Sequence, residues 1–428
     1  MIIDHHEAPK FSEYACVINN QLGDYPNKSL SGVGMVYKFC SFFDKLMNTH
    51  HCDGLKDLVA LGLVGDMMDL RNLETRYLVK SGFDQITNPF LQGMVIKQEY
   101  SIKGQLNPHR AAFYIVPGVN AVTRIGTIEE KLTLFESMVE YKAFEQVRST
   151  KRGAKVGDME TKVEQSLRNC TNIRNRQNRI KDEMVEKIDE LIKEKDLLSN
   201  KLLVIKVKHP IDTGITGLVA NQIANKYQRP TLILNRREIE GKVTYEGSGR
   251  NYSNSPIGDF RNFLESTGLI MYAQGHASAF GFGIEDEHFE EFIEKTNELL
   301  KDLEFNYKYD IDLIYENNDL SNYDVIDIAE CENIWGQNIE EPLILIKNVT
   351  VTKDNLFLYK EKVLKIENQN GLSFVNLSSS PEEYQELYTE MGYITLNIIG
   401  SCTINDFNQM GQIKIKDYEV VRKGEYYF

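Results

Sequence analysis

Apolar and polar positions divide the chain into four stretches. The first opens on Ile2 and Ile3, stops at Asp4, His5 and His6, and then sets two apolar runs, DLVALGLVGDMMDL (Asp57 to Leu70) and AAFYIVPGVNAV (Ala111 to Val122), among helical patterns such as GMVYKFCSFFDKLM. Apolar runs alternating with helical periodicity predict an α/β layer with a parallel sheet, here over 1–130. From about Lys131 to Asn200 the background is charged, and Met184, Val185, Ile188, Leu191 and Ile192 recur on one face, which predicts a long connecting helix over 131–200. A second α/β unit, 201–303, follows from the strand KLLVIKV, a helix from Thr216 to Tyr227, and the strand TLILN. Beyond it, over 304–428, LILIKNVTVT, LFLYKEKVLKI, LSFVNLS and YITLNIIGSC are short strands divided by turn residues, the spacing of a small antiparallel barrel.

Composition narrows the class. A chain of 428 residues, 42% hydrophobic and 26% charged, has enough apolar material for several cores. It has no membrane-length apolar run and opens without a basic-then-apolar signal pattern, so no membrane association and a cytoplasmic location are expected. Its six cysteines are scattered without a C-x-x-C pair, which points to free thiols. A net charge of −14 excludes a generally basic nucleic-acid binder, so any such binding must be local. Two basic stretches are available for it: Arg148 to Lys155, and the run with Arg168, Arg174, Arg176, Arg179 and Lys181. The same residues also suit solvated helix faces.

Candidate chemistry gathers at the ends of the apolar runs. Open α/β folds place ligands at the carboxyl ends of parallel strands, where Asp4, His5 and His6 are expected and where Asp66 would offer a second carboxylate. Imidazole with carboxylate suits a borderline divalent ion such as manganese. Taken alone, Asp66 would equally suit a helix cap. Gly32 and Gly34 stand where a turn opens into a helix, either as plain turn chemistry or to let backbone N–H groups approach an anion. Further along, GSGRN (Gly247 to Asn251) and QGHASAFGFGI (Gln274 to Ile284) are glycine-rich around one arginine and one histidine.

In order and spacing these segments resemble the DHH phosphoesterase superfamily, and within it the RecJ-type single-strand exonucleases. IIDHHE resembles the motif that names the superfamily, LSGVGMVYKF the helix after it, DLVALGLVGDMMDL a metal-binding aspartate segment, and VPGVNAVTRIG the close of the catalytic domain. The resemblance implies that His5 and Asp66 bind metal, that His6 contacts the scissile phosphate with Asp4 orienting its neighbours, and that Asn120 and Arg124 lie beside the substrate. HPIDTGITGLVANQIANKYQRPTLIL with the two glycine-rich motifs is similar to the DHH-associated domain, implying that Arg250 and His276, with Gly247, Gly249 and Gly275, hold phosphates. The last stretch resembles an oligonucleotide-binding barrel, with Trp335, Phe357, Tyr359 and Phe374 available for base stacking, although several of these equally suit core packing; Arg174 and Arg176, in the connector, are further candidate nucleic-acid contacts.

The expectations that follow are two manganese or magnesium ions and a single-stranded DNA substrate digested 5′ to 3′ in repair or recombination. Two aspartate motifs that the resemblance places before the D-H-H are not in this sequence, so one of the two ions is not expected to bind this chain alone. An N-terminal DHH fragment or a single-strand-binding protein is then an expected partner. A non-catalytic nucleic-acid-binding subunit, and a phosphodiesterase for short oligonucleotides or cyclic dinucleotides, are the alternatives the residues leave open.

Overall fold

Residues 1–6, 12–207, 210–239, 241–305 and 308–425 are described by the computed structural model; Glu7 and His209, which belong to two of the quoted motifs, lie outside them. The chain forms two compact units, Met1–Val116 with Tyr309–Phe428, and Pro117–Lys308.

In the first unit, strand β1 (Ile2–Asp4) pairs in parallel with β2 (Val17–Asn19), setting Asp4 beside Asn19. Helix α1 (Gly32–Met47) is capped by Ser31, whose Oγ accepts from Gly34 N, and ends at Asn48 in the left-handed region. Helix α2 (Lys56–Gly65) packs closely on α1: a Cβ on Gly62 would stand 2.2 Å from Val33 Cγ1, and one on Gly34 would stand 3.2 Å from Leu63 Cδ2. Helix α3 (Leu73–Asp84) follows.

The two apolar runs expected as strands are helical. DLVALGLVG is α2, with Asp66 as its C-terminal cap, and AAFYIVPGVNAV becomes a π-helical turn (Ala111–Ile115) leading into α4 (Val116–Ile125). Val59, Ala60, Leu61 and Leu63 are all buried, and an element buried on every side shows no period by which helix and strand could be told apart.

The second unit begins with α4 and α5 (Ile128–Met138), followed by a hairpin of β3 (Gln146–Arg148) and β4 (Met159–Thr161) that the helical expectation for 131–200 did not include. The long helix does form, as α6 (Lys162–Glu194), opened by a Thr161/Glu164 capping box. Its Val185, Ile188 and Ile192 share a core with Ile215, Val219 and Ile223 of α7 (Thr213–Tyr227) and with Leu203, Ile205 and Ile233 of a sheet. That sheet runs β5 (Leu203–Val207), β6 (Thr231–Ile239), β7 (Lys242–Arg250), β9 (Ala279–Glu285), β8 (Tyr272–His276), parallel only at β5/β6. Its other face buries Phe280 and Phe282 against Phe260 of α8 (Phe260–Glu265) and Phe292 of α9 (Phe289–Leu299).

The chain returns to the first unit in β10 (Leu313–Glu316), helix α10 (Asn322–Glu330), β11 (Ile344–Val351), β12 (Leu356–Tyr359), β13 (Val363–Glu367), β14 (Ser373–Asn376), β15 (Gly392–Ile404) and β16 (Gly411–Glu425). The sheet order is β10-β11-β15-β16-β14-β13-β12. Its joins β10/β11 and β14/β16 are parallel, which corrects the wholly antiparallel expectation, and among the described residues no pairing closes β12 onto β10.

Trp335 and Phe374 are 5% and 0% exposed, so for these two the core alternative holds and neither ring offers a stacking face. Around Trp335, Arg110 grips Glu332 at 3.1 and 2.8 Å, Leu70 N donates to Gln337 O at 3.1 Å, and a Cβ on Gly336 would meet Leu70 Cδ1 at 2.4 Å. Tyr359 on β12 stays exposed beside Phe357, their rings 6.3 Å apart. Among the described residues no helix is long and apolar enough to cross a membrane.

Candidate active site

Because β1 ends at Asp4, the chain turns there and brings three functional side chains together. Asn19 Nδ2 donates to His6 O at 2.8 Å from the neighbouring strand and holds that turn; nothing in the sequence singles Asn19 out. Asp4 Oδ1 accepts from His5 N at 2.8 Å and lies 2.8 Å from His6 Nδ1; the bond to His6 is the main cause that holds the carboxyl below its ordinary range. The two imidazoles lie with centroids 4.2 Å apart. One donor atom from each of Asp4, His5 and His6 falls within 4.8 Å of the others.

Asp66 reaches the same group by another route. His5 Nε2 stands 2.9 Å from Asp66 Oδ2, although the aspartate comes from a helix end and not from a strand end. A carboxylate at a helix C-terminus meets the negative end of the helix dipole, a loss of about 0.3–1 kcal/mol unless a cation answers it. Such a local conflict marks a functional position more often than a structural one. His5 is 12% exposed, and its Nδ1 is enclosed without a hydrogen-bond partner among the described residues, 3.7 Å from Asp4 Oδ1. His6 is 68% exposed and open to a ligand. Gly32 lies 3.6 Å from His5 Nδ1 when given a Cβ, an ordinary contact, so space for the ring does not demand glycine there.

The second unit gathers another group. Arg250, Ala279 and His276 are directly paired across β7, β9 and β8, so their side chains leave the same face, with the two polar residues about 10 Å apart over a small alanine. Arg250 extends across the first turns of α7: a Cβ on Gly217 would lie 2.3 Å from its Nη2. Its guanidinium donates to Gly249 O at 2.6 Å and has no carboxylate partner among the described residues. Burial, with Arg124 as the lesser cause, lowers its pKa. Two arginines near each other, one of them half-buried without an acid among the described residues, at the start of a helix, describe a place for an anion. Gly217 was not picked out in advance, because the arginine that needs it lies on a distant strand.

Gly247, Gly249 and Gly275, expected at phosphates, are required by cross-strand packing. Their added Cβ atoms would meet Ile233 O at 1.9 Å, the Phe280 ring at 2.5 Å and Ala279 O at 2.7 Å. Gly247→Ala is therefore expected to destabilise the second unit by about 1–3 kcal/mol in denaturant unfolding, and an unchanged midpoint would remove this explanation. Asn120 and Arg124 lie on α4 within the second unit. Arg176 is engaged by Ile125 O at 3.1 Å and Glu130 at 3.7 Å, and Arg174 also has a partner.

A strand-end Asp-His-His group with a histidine-paired carboxylate, and a separate glycine-rich α/β unit, define a DHH-type phosphoesterase architecture. Residues 199–302 match the DHHA1 domain family. The chain is 34% identical over 430 residues to YorK, an SPbeta-prophage protein of Bacillus subtilis (strain 168) provisionally described as a single-strand DNA-specific exonuclease; the match covers 99% of this chain and 74% of YorK. It is 23% identical over 435 residues to the single-stranded-DNA-specific exonuclease RecJ of the same organism, covering 98% of this chain and 51% of RecJ. The fold is shared with RecJ of Thermus thermophilus, solved in complex with Mn2+, at TM-score 0.69 and 18% identity, over 97% of this chain and 57% of that one. The chain belongs to the RecJ type of the DHH phosphoesterase superfamily. It spans about half the length of the RecJ proteins it matches.

Proposed function

We propose that this chain is a divalent-metal-dependent phosphodiesterase that removes nucleotides from single-stranded DNA. The observation that carries the reading is the His5–Asp66 contact at 2.9 Å, set beside Asp4 and His6 within one small group. The donor set fits manganese or magnesium: carboxylates with imidazole, and one enclosed imidazole nitrogen without a partner among the described residues. His5 and Asp66 would hold the ion, which supplies positive charge against the charge developing on the phosphate.

The chain's own residues do the rest. Asp4 holds the His5 backbone and the His6 ring, while Asp66 meets the His5 ring, so neither imidazole searches for its orientation. His6, the most open of the group, donates to a phosphate oxygen. In the second unit Arg250 offers a planar fork to phosphate oxygens and His276 a further donor from the same sheet face. Digestion from the 5′ end and a role in repair or recombination are parts of the same proposal, supported by the family resemblance.

Arg250→Ala is expected to lower nucleotide release at subsaturating strand by about 10–100-fold, since a hydrogen bond to a charged group contributes about 1.5–3 kcal/mol. Initial rates against strand concentration measure this, and a loss below twofold would remove Arg250 from the substrate site. The reading itself is tested by manganese-dependent release from labelled single strands, duplexes and dinucleotides. Preference for dinucleotides would replace exonuclease action with short-oligonucleotide hydrolysis.

A further inference from the structure

The hairpin that interrupts the helical region carries one of the two most basic short stretches of an otherwise acidic chain. Arg148, Lys151, Arg152 and Lys155 fall within eight residues, and all four are exposed. Arg148, Arg152 and Lys155 have no carboxylate partner among the described residues, whereas Lys151 stands 3.6 Å from Glu160. The loop's own acid, Asp158, is turned to the backbone and accepts from Lys155 N at 2.7 Å.

The loop is also firmly built. Ser149 N donates to Asp158 O at 2.8 Å, Ala154 N to Lys151 O at 3.0 Å and Asp158 N to Lys155 O at 3.1 Å. Beneath it lies Glu160, whose side chain is 0% exposed and receives Thr150 N at 3.0 Å, Gln165 Nε2 at 3.0 Å and both terminal nitrogens of Arg168. Arg168 Nη2 donates to Thr150 Oγ1 at 2.7 Å as well. A solvated charge run needs no such anchor. Enclosing a carboxylate and an arginine to hold a loop of like charges in one shape opposes both desolvation and self-repulsion, and the arrangement makes sense when a polyanion meets those charges already placed.

We propose that the Arg148–Lys155 hairpin is a preorganised contact for the phosphate backbone of single-stranded nucleic acid, with Arg148, Arg152 and Lys155 on phosphates and Glu160 and Arg168 as positioning residues. The proposal rests on the single-strand reading above and adds a second binding surface to it. Each phosphate neutralised contributes about −0.7 to the slope of log K against log salt for single strands.

The test measures binding of a fluorescent oligothymidylate to the full chain by anisotropy across a salt series. Arg152→Ala/Lys155→Ala, which alters only solvent-facing side chains, is expected to make the slope shallower by about 1.4, so the loss of affinity between about 50 and 200 mM salt shrinks by about sevenfold. Glu160→Gln separates order from charge. It makes the region more positive, so a mere charge patch binds as tightly or more tightly, whereas a preorganised contact binds severalfold more weakly. Weaker binding with an unchanged salt slope supports the proposal; equal or tighter binding by a folded Glu160→Gln chain overturns it. If the wild type binds and Arg152→Ala/Lys155→Ala binds identically, the hairpin contact is wrong and the single-strand reading stands. If the wild type binds no single strand, both fall.

Discussion

His5→Ala is expected to lower manganese-dependent nucleotide release by roughly three orders of magnitude, with little change in the unfolding midpoint. The size follows from charge stabilisation of about 4 kcal/mol lost at the phosphate when the ion is no longer held in place. The small effect on stability follows from what His5 does in the folded chain: one ring nitrogen meets Asp66, and the other is enclosed without a partner among the described residues, so the ring contributes little net hydrogen bonding. Asp66→Asn is expected to behave alike, because the carboxylate and imidazole meet at one point. Manganese titration by calorimetry gives the independent readout: each variant should lose the heat that the wild type shows. A variant that keeps more than a tenth of the wild-type rate, or that binds manganese undiminished, would falsify the assignment of this pair as ligands.

The second large effect concerns stability. Glu160→Ala is expected to destabilise the second unit by roughly 3–5 kcal/mol, the usual loss when one partner of a buried ion pair is removed and the other is left behind. Arg168 is the partner left here, and Thr150 N and Gln165 lose their acceptor with it. The Arg168 guanidinium is the main cause that holds the Glu160 carboxyl at about 2, below its ordinary 4.5. A carboxyl lowered in the folded state stabilises fully above the unfolded value and loses that contribution as pH falls from about 4.5 toward 2. By linkage the shift corresponds to roughly 3 kcal/mol, in line with the expected effect of the substitution. Urea unfolding at neutral pH and at pH about 3 should therefore show a wild-type loss on acidification that is clearly smaller in Glu160→Ala, the remainder coming from other lowered carboxyls such as Asp4 and Glu136. Equal acid sensitivity in the two would place the titration elsewhere.

Much of the second unit was legible in advance, because its elements differ locally. KLLVIKV and TLILN are β-branched runs flanking an amphipathic helix, and the structure makes them β5, β6 and α7. The hairpin at Gln146–Arg148 and Met159–Thr161 was not legible. Its strands have three residues each and no alternation, and what fixes it is a buried carboxylate whose partners lie up to ten residues away. The packing role of the glycines in GSGRN was not legible either, for a similar reason. Whether a glycine spares a phosphate or a neighbouring strand depends on what lies across the sheet, and for Gly247 that is the carbonyl of Ile233.

By itself the sequence determined the family resemblance, the order of the elements in the second unit, and the aspartate–histidine–histidine group as chemistry. Those are properties of residue type and spacing, carried by the chain wherever it goes. Only the tertiary structure decided that Asp66 reaches His5 from the end of a helix, that Trp335 is packing material, that Arg250 lies over Gly217 with no acid beside it among the described residues, and that the basic stretch is a braced loop. Each of these rests on contacts between different elements, and the pattern within one element does not encode them. An apolar run buried on all sides fits helix and strand alike, and a side chain's function is set by the atoms that burial brings to it.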